Sequence, residues 1–140
     1  MTNQTLAQSY LLKATKRLKV LDLLADEEAY SDVVREAQEL VELALKGILR
    51  QVGVEPPKQH DVGWLVIEFK DRLPEEVSVQ AEKLARISKW LRKEREFSFY
   101  GDVDFIPTEE YASEDAERAK KDAFFVVTMA RKVIPQNNGE

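Results

Sequence analysis

Apolar residues recur three and four positions apart along most of the chain, and no segment keeps up the two-residue alternation of a half-buried strand. The pattern predicts five helical segments. The first runs from about Thr5 to Leu24, with Leu6, Tyr10, Ala14, Leu18, Leu21 and Leu24 on one side and Lys13, Lys16, Arg17 and Lys19 elsewhere on the wheel. "ADEEAYSD" then marks a tight junction. The second, about Tyr30 to Val52, adds Leu40, Leu45 and Leu49 to a stripe of Val34, Ala37, Val41, Ala44 and Ile48, a surface broad enough to meet several neighbours. Gly53 suits a left-handed C-cap, and Pro56 and Pro57 stop continuation. The third, about His60 to Arg72, has Trp64, Leu65, Ile67 and Phe69 as its apolar content. The fourth runs from Pro74 to about Phe97, with Val77, Ala81, Leu84, Ile87 or Ser88, and Leu91 inward. The fifth starts at Ser113, read as an N-cap ahead of first-turn acids, and carries Ala116, Ala119, Ala123, Val126 or Val127, Ala130 and Val133 before Pro135. The expectation is an all-α, up-and-down bundle of four to five helices, one domain over residues 1–134, with 135–140 as a disordered tail.

Composition narrows the function classes. No apolar run approaches the length of a membrane span, and the first twenty residues lack the basic-then-apolar order of a secretory signal. There is no cysteine, which excludes disulfides, thiolate metal sites and a cysteine nucleophile. A cytoplasmic location is expected, with no contact to membrane. The net charge of -5 argues against nucleic-acid binding by bulk charge and leaves room only for a local basic patch. No Gly-rich phosphate loop, zinc spacing or nucleophile elbow is present, so no cofactor or metal is expected.

One stretch departs from the regular pattern, "WLRKEREFSFYGDVDFIP" at 90–107. Extending the inward stripe of the fourth helix by one turn from Leu91 reaches Arg95, and from Ser88 it reaches Arg92. Burying an unpaired charge is costly, so both arginines must meet carboxylates, meet a ligand or sit where the bundle opens to water. Glu94, Glu96, Asp102 and Asp104 are the nearby carboxylates in sequence. An up-and-down path would gather His60, Asp61, Arg92, Arg95, Tyr100, Asp102 and Asp104 at one pole, together with two helix N-termini. Such a pole suits holding a phosphate and stacking a base. The plainer reading is a solvated helix end with loop aromatics closing the core, a turn at Gly101, and a structural role for His60. Asp102-x-Asp104 without further spaced ligands is weak as a metal pair.

"REAQELVELALKGILRQVG", then "KQHDVGWLV", "LRKEREFSFYGD" and "IPTEEYASEDAERAKKDA", in this order and spacing, resemble a HEPN domain (higher eukaryotes and prokaryotes nucleotide-binding) over about residues 5–134. The resemblance implies a helical bundle that commonly dimerises. It also implies one of three roles: a ribonuclease, often a toxin, with an Arg-x4–6-His motif near the end of the fourth helix; a partner of a small nucleotidyltransferase; or a nucleotide or RNA binder. This chain has no histidine after Arg92 and Arg95. Tyr100 stands where the motif histidine would fall, and a phenol with a pKa of about 10 is a poor base at pH 7 beside imidazole at about 6.5. The nuclease activity is therefore not carried over. The expectation is a non-catalytic module with His60, Arg92, Arg95, Tyr100 and Asp102 as ligand-binding residues. Its partners are a second copy, a nucleotide or RNA, or a nucleotidyltransferase. The alternative is a toxin–antitoxin ribonuclease that rebuilds its site from Arg95, His60 and Tyr100. A homodimer is expected to bury some of Tyr10, Trp64, Trp90, Phe124 and Phe125.

Overall fold

A computed structural model describes residues 5–56, 58 and 62–136. The elements are α1 (Leu6–Asp26), α2 (Tyr30–Gln51), α3 (Val62–Glu68), a 3-10 turn (Lys70–Arg72), α4 (Glu75–Ser78), α5 (Ala81–Phe99), α6 (Pro107–Glu110) and α7 (Ser113–Val133). The all-α expectation holds, with no strand among the described residues and none of their helices long and apolar enough to cross a membrane.

The broad apolar surface read on the second helix makes α2 the central element. Twelve of its residues are buried, including all eight named from the sequence, and it packs against α1, α7, α5 and α3. The inward residues of the fourth and fifth segments are likewise buried, except that Val133 is only partly so. The stripe of α1 holds at Ala14 and Leu21, with Leu18 and Leu24 partly buried, and is shifted by one position only at its start, where Ala7 and Leu11 are buried and Leu6 is exposed. The close approach of α1 to α2 at Gly47, where Ala7 and Tyr10 lie against the glycine, sets that rotation.

Helix ends follow local chemistry, not always as read. Thr5 and Gln8 form a reciprocal capping box at α1. Gly53, at φ +85°, closes α2 as expected, with Val54 N–H donating back to the Leu49 carbonyl. At α7 the cap residue is Ala112, and Ser113 is already helical. The Asp115 carboxylate, reaching back to accept from Ala112 N–H at 2.8 Å, does the work assigned to the serine. The fourth segment is not one helix. Gln80 N–H bonds to the Val77 carbonyl three residues back, a tightened turn that separates α4 from α5 and leaves Val79 exposed. The third also stops early, and its buried residues are Val62, Gly63 and Val66, whereas Trp64 is 60% exposed. At the C-terminus, the Pro135 carbonyl accepts from Gln8 and the Gln136 amide donates to the Arg131 and Ile134 carbonyls. The first two residues of the expected tail are thus fastened to the bundle, and 137–140 lie outside the described residues.

Of the five aromatics assigned to a dimer interface, three are engaged within the chain. Arg118 stacks 4.0 Å over Trp90, whose indole N–H donates to Asp122 at 2.8 Å. Lys83 lies 4.0 Å over Phe125, and Arg50 covers Tyr10. Trp64 and Phe124 remain mostly exposed.

Candidate functional site

Along α5 the buried line runs Leu84, Leu91, Ser98, and the Ser98 hydroxyl donates to the Arg95 carbonyl at 3.0 Å. A helix repeats its face every seven residues, so Ser98 takes the inward position that the stripe had extended through Arg95. Arg95 is rotated to the edge with its side chain 52% exposed, and Arg92 is exposed. The desolvation cost of a guanidinium accounts for the displacement.

Arg95 does meet a carboxylate, and among the described side chains it is none of Glu94, Asp102 and Asp104. Its partner is Glu39 of α2, with Nη2 to Oε1 at 3.4 Å, and the same oxygen lies 3.8 Å from Arg35 Nη2. Two of the sequence neighbours are occupied elsewhere. Glu94 accepts the Tyr111 hydroxyl proton at 2.7 Å, and Asp102 accepts from Asp104 N–H at 3.2 Å within its own turn. Arg92 makes no ion pair among the described residues. Glu39 and Arg35 were missed by the sequence reading. The available signal was the polar strip of Arg35, Glu39, Glu42 and Lys46 beside the broad apolar stripe: on a central helix that strip marks its open side. Gln38, next to it, is buried and donates to Glu42 at 3.1 Å.

The loop after α5 is a closed turn. Asp102 and Phe105 exchange two backbone hydrogen bonds at 2.9 and 3.0 Å. Gly101 adopts φ +71°, and a Cβ there would collide with the Phe105 carbonyl and the Pro107 ring. Gly101→Ala should therefore unseat the turn, seen as accelerated amide exchange at Phe105 with little change in global melting. Phe105 packs edge-on against Tyr111 at 5.7 Å, which ties the loop to the core, while Tyr100 stays 76% exposed.

Burial, followed by the bond to Glu94 and the charges of Glu94 and Asp115, pushes the Tyr111 phenol far above its usual value. A hydrogen bond to Asp22, at 3.0 Å, raises the Lys120 ammonium against the opposing effect of burial. Both groups keep their protons in the folded chain at pH values where the unfolded chain, with ordinary values of about 10 and 10.4, has lost them. The unfolded state then binds fewer protons, so stability is full below about pH 10 and falls as pH rises beyond it. Tyr111→Phe should flatten part of that decline in urea titrations at pH 8, 10 and 11.

The end of α2 and the end of α5, read as sharing one pole, lie apart. α5 ends beside Glu39, in the first half of α2, and α7 begins there too, as Tyr111–Glu94 shows. The C-terminus of α2 lies at the other end, where Arg72 donates to the Val52 carbonyl at 3.0 Å and Lys132 pairs with Glu76. The start of α3 faces the middle of α5, with Gly63 so close to Ala85 and Ser88 that a Cβ would stand 3.0–3.2 Å from them. The cause is length. The seven residues of α3 cover about 10 Å and cannot run beside the whole of a 19-residue helix. Arg92, Arg95, Tyr100 and Asp102 share one end of the molecule; His60 and Asp61 lie outside the described residues. Among the described residues no group of three acidic, histidine or cysteine side chains could hold a metal.

The arrangement defines an all-α bundle about one central helix, with arginines exposed where α5 leaves the core. A family model described as HEPN domain matches residues 7–133. The chain belongs to the HEPN domain family. No curated protein and no solved structure matches it.

Proposed function

We propose that this HEPN-domain protein is a non-catalytic, self-associating module that binds the phosphate of a nucleotide or RNA at the end of α5. The observation behind this reading is the pair of exposed guanidiniums. Arg92 has no ion pair among the described residues, and Arg95 is half exposed and only loosely engaged, 3.4 Å from a carboxylate it shares with Arg35. A planar, permanently charged fork of this kind is suited to phosphate oxygens. Tyr100, exposed beside it, supplies a face on which a base can stack. The described start of α3 lies one turn of α5 from Arg92, and on that ground His60, two residues upstream in sequence, stays in the proposal as a donor. Asp102 drops to a supporting role, because its carboxylate holds its own turn.

Titration of the protein with a panel of nucleoside mono-, di- and triphosphates and short single-stranded RNA tests the reading. Binding is expected to weaken as salt rises, since exposed charges are screened. Absence of binding across the panel would remove the proposal and leave this end as a docking surface for a nucleotidyltransferase.

A further inference from the structure

A groove enclosing about 510 Å³ runs between α1 and α7, far around the bundle from the α2–α5 contact, with Leu18, Leu21 and Phe124 as its apolar surface. Phe124 is 64% exposed, although it lies between two packed helices. Around it stand Lys19, Lys121 and Arg131, all exposed and without an ion pair among the described residues. The two acids of the groove, Asp22 at 3.0 Å and Glu117 at 3.9 Å from Lys120, offset only half of its four cations. The groove is thus apolar and locally basic on a chain whose net charge is -5.

The opposite chemistry stands on the turn after α5. Val103 is 92% exposed and Ile106 47% exposed, flanked by the exposed carboxylates of Asp104, Glu109 and Glu110. No ion pair among the described residues engages those three acids. This knob is pre-formed. The Asp102–Phe105 exchange, the Asp102–Asp104 bond and the edge-on packing of Phe105 against Tyr111 fix it before any partner arrives, so little ordering entropy remains to be lost on docking. A rigid turn with a fully solvated valine at its tip has no account within the monomer.

We infer that the acidic, Val103-tipped turn of one copy docks into the basic groove between α1 and α7 of a second copy. Val103 and Ile106 cover Phe124, while Asp104, Glu109 and Glu110 face Lys121, Arg131 and Lys19. Two net-negative chains repel one another, so association needs a local match of this kind. Reciprocal exchange about a two-fold axis uses both turns and both grooves and closes the assembly at a dimer; one-way docking would instead grow open chains. The inference rests on the self-association proposed above and adds its surfaces.

The test is sedimentation equilibrium of the full chain with three variants whose helical spectra and melting match wild type. Lys121→Glu with Arg131→Glu reverses the groove. Asp104→Lys with Glu109→Lys reverses the turn. The third variant carries all four changes. Wild type is expected to be dimeric, each reversal to raise the dimer dissociation constant at least about tenfold, and the fourfold variant to recover most of the loss. A 1:1 mixture of the two reversed proteins should regain most of it, because in the mixed dimer one intact turn meets one intact groove and the reversed turn meets the reversed groove. A monomeric wild type at micromolar concentration would remove both self-association and this pairing. A dimer unmoved by either reversal would remove the pairing alone and point to another face.

Discussion

Leu91→Ala is expected to cost about 2–5 kcal/mol of unfolding free energy, the range for a large-to-small change at a fully buried leucine. Leu91 has no solvent exposure and lies in the last well-packed turn of α5 before the arginines. The surroundings cannot collapse into the space, because α2 is held on its other sides by α1 and α7. Against a typical total of about 5–15 kcal/mol this is a large share. It should appear as a lower urea midpoint with an unchanged slope. A loss below about 1 kcal/mol would mean that α5 is not seated on α2 as described. The end of α5 should also loosen, so phosphate binding is expected to weaken even though no guanidinium has been removed.

The second large effect separates the two meanings of Arg95. Arg95→Ala should weaken nucleotide or RNA binding by about tenfold or more, since a charge-assisted contact contributes about 1.5–3 kcal/mol. That result alone does not distinguish a ligand contact from a structural ion pair. Glu39→Gln does. If Arg95 serves a ligand, removing the negative charge at 3.4 Å frees the guanidinium and takes away repulsion of the phosphate, so binding should tighten. If the pair is only architectural, Arg95→Ala and Glu39→Gln should lower the melting temperature by similar small amounts and leave binding unmoved. The expected loss of stability is small either way, because a half-exposed pair contributes at most about 1 kcal/mol. Opposite shifts in affinity from the two substitutions support the proposal; shifts of the same sign count against it. RNA cleavage by the wild type that disappears in both variants would instead favour a ribonuclease using Glu39 as its proton acceptor.

The spacing of apolar residues by itself determined the class of fold, the centrality of α2 and most of the buried positions on α2, α5 and α7. Those features are set by local periodicity and by the free energy of burying apolar area, and both are written along one helix at a time. The left-handed closure at Gly53 and the turn at Gly101 were legible for the same reason, because the constraint acts within a few residues. What surrounds Arg95 was not. Its carboxylate comes from Glu39, 56 residues earlier, and which of several available acids meets it depends on how far α5 runs along α2. The sequence marks a helix end to within a turn, and one turn rotates or lifts a side chain out of reach of its partner. The grouping of His60 and Asp61 with the arginines assumed neighbouring helices of equal length; α3 is short and its described start abuts Ser88, while His60 and Asp61 themselves lie outside the described residues. The basic groove between α1 and α7 and the exposed, acidic turn after α5 depend on how distant segments pack. Only the packed tertiary structure could assemble the groove's cations around Phe124 and hold Val103 out at the tip of its turn.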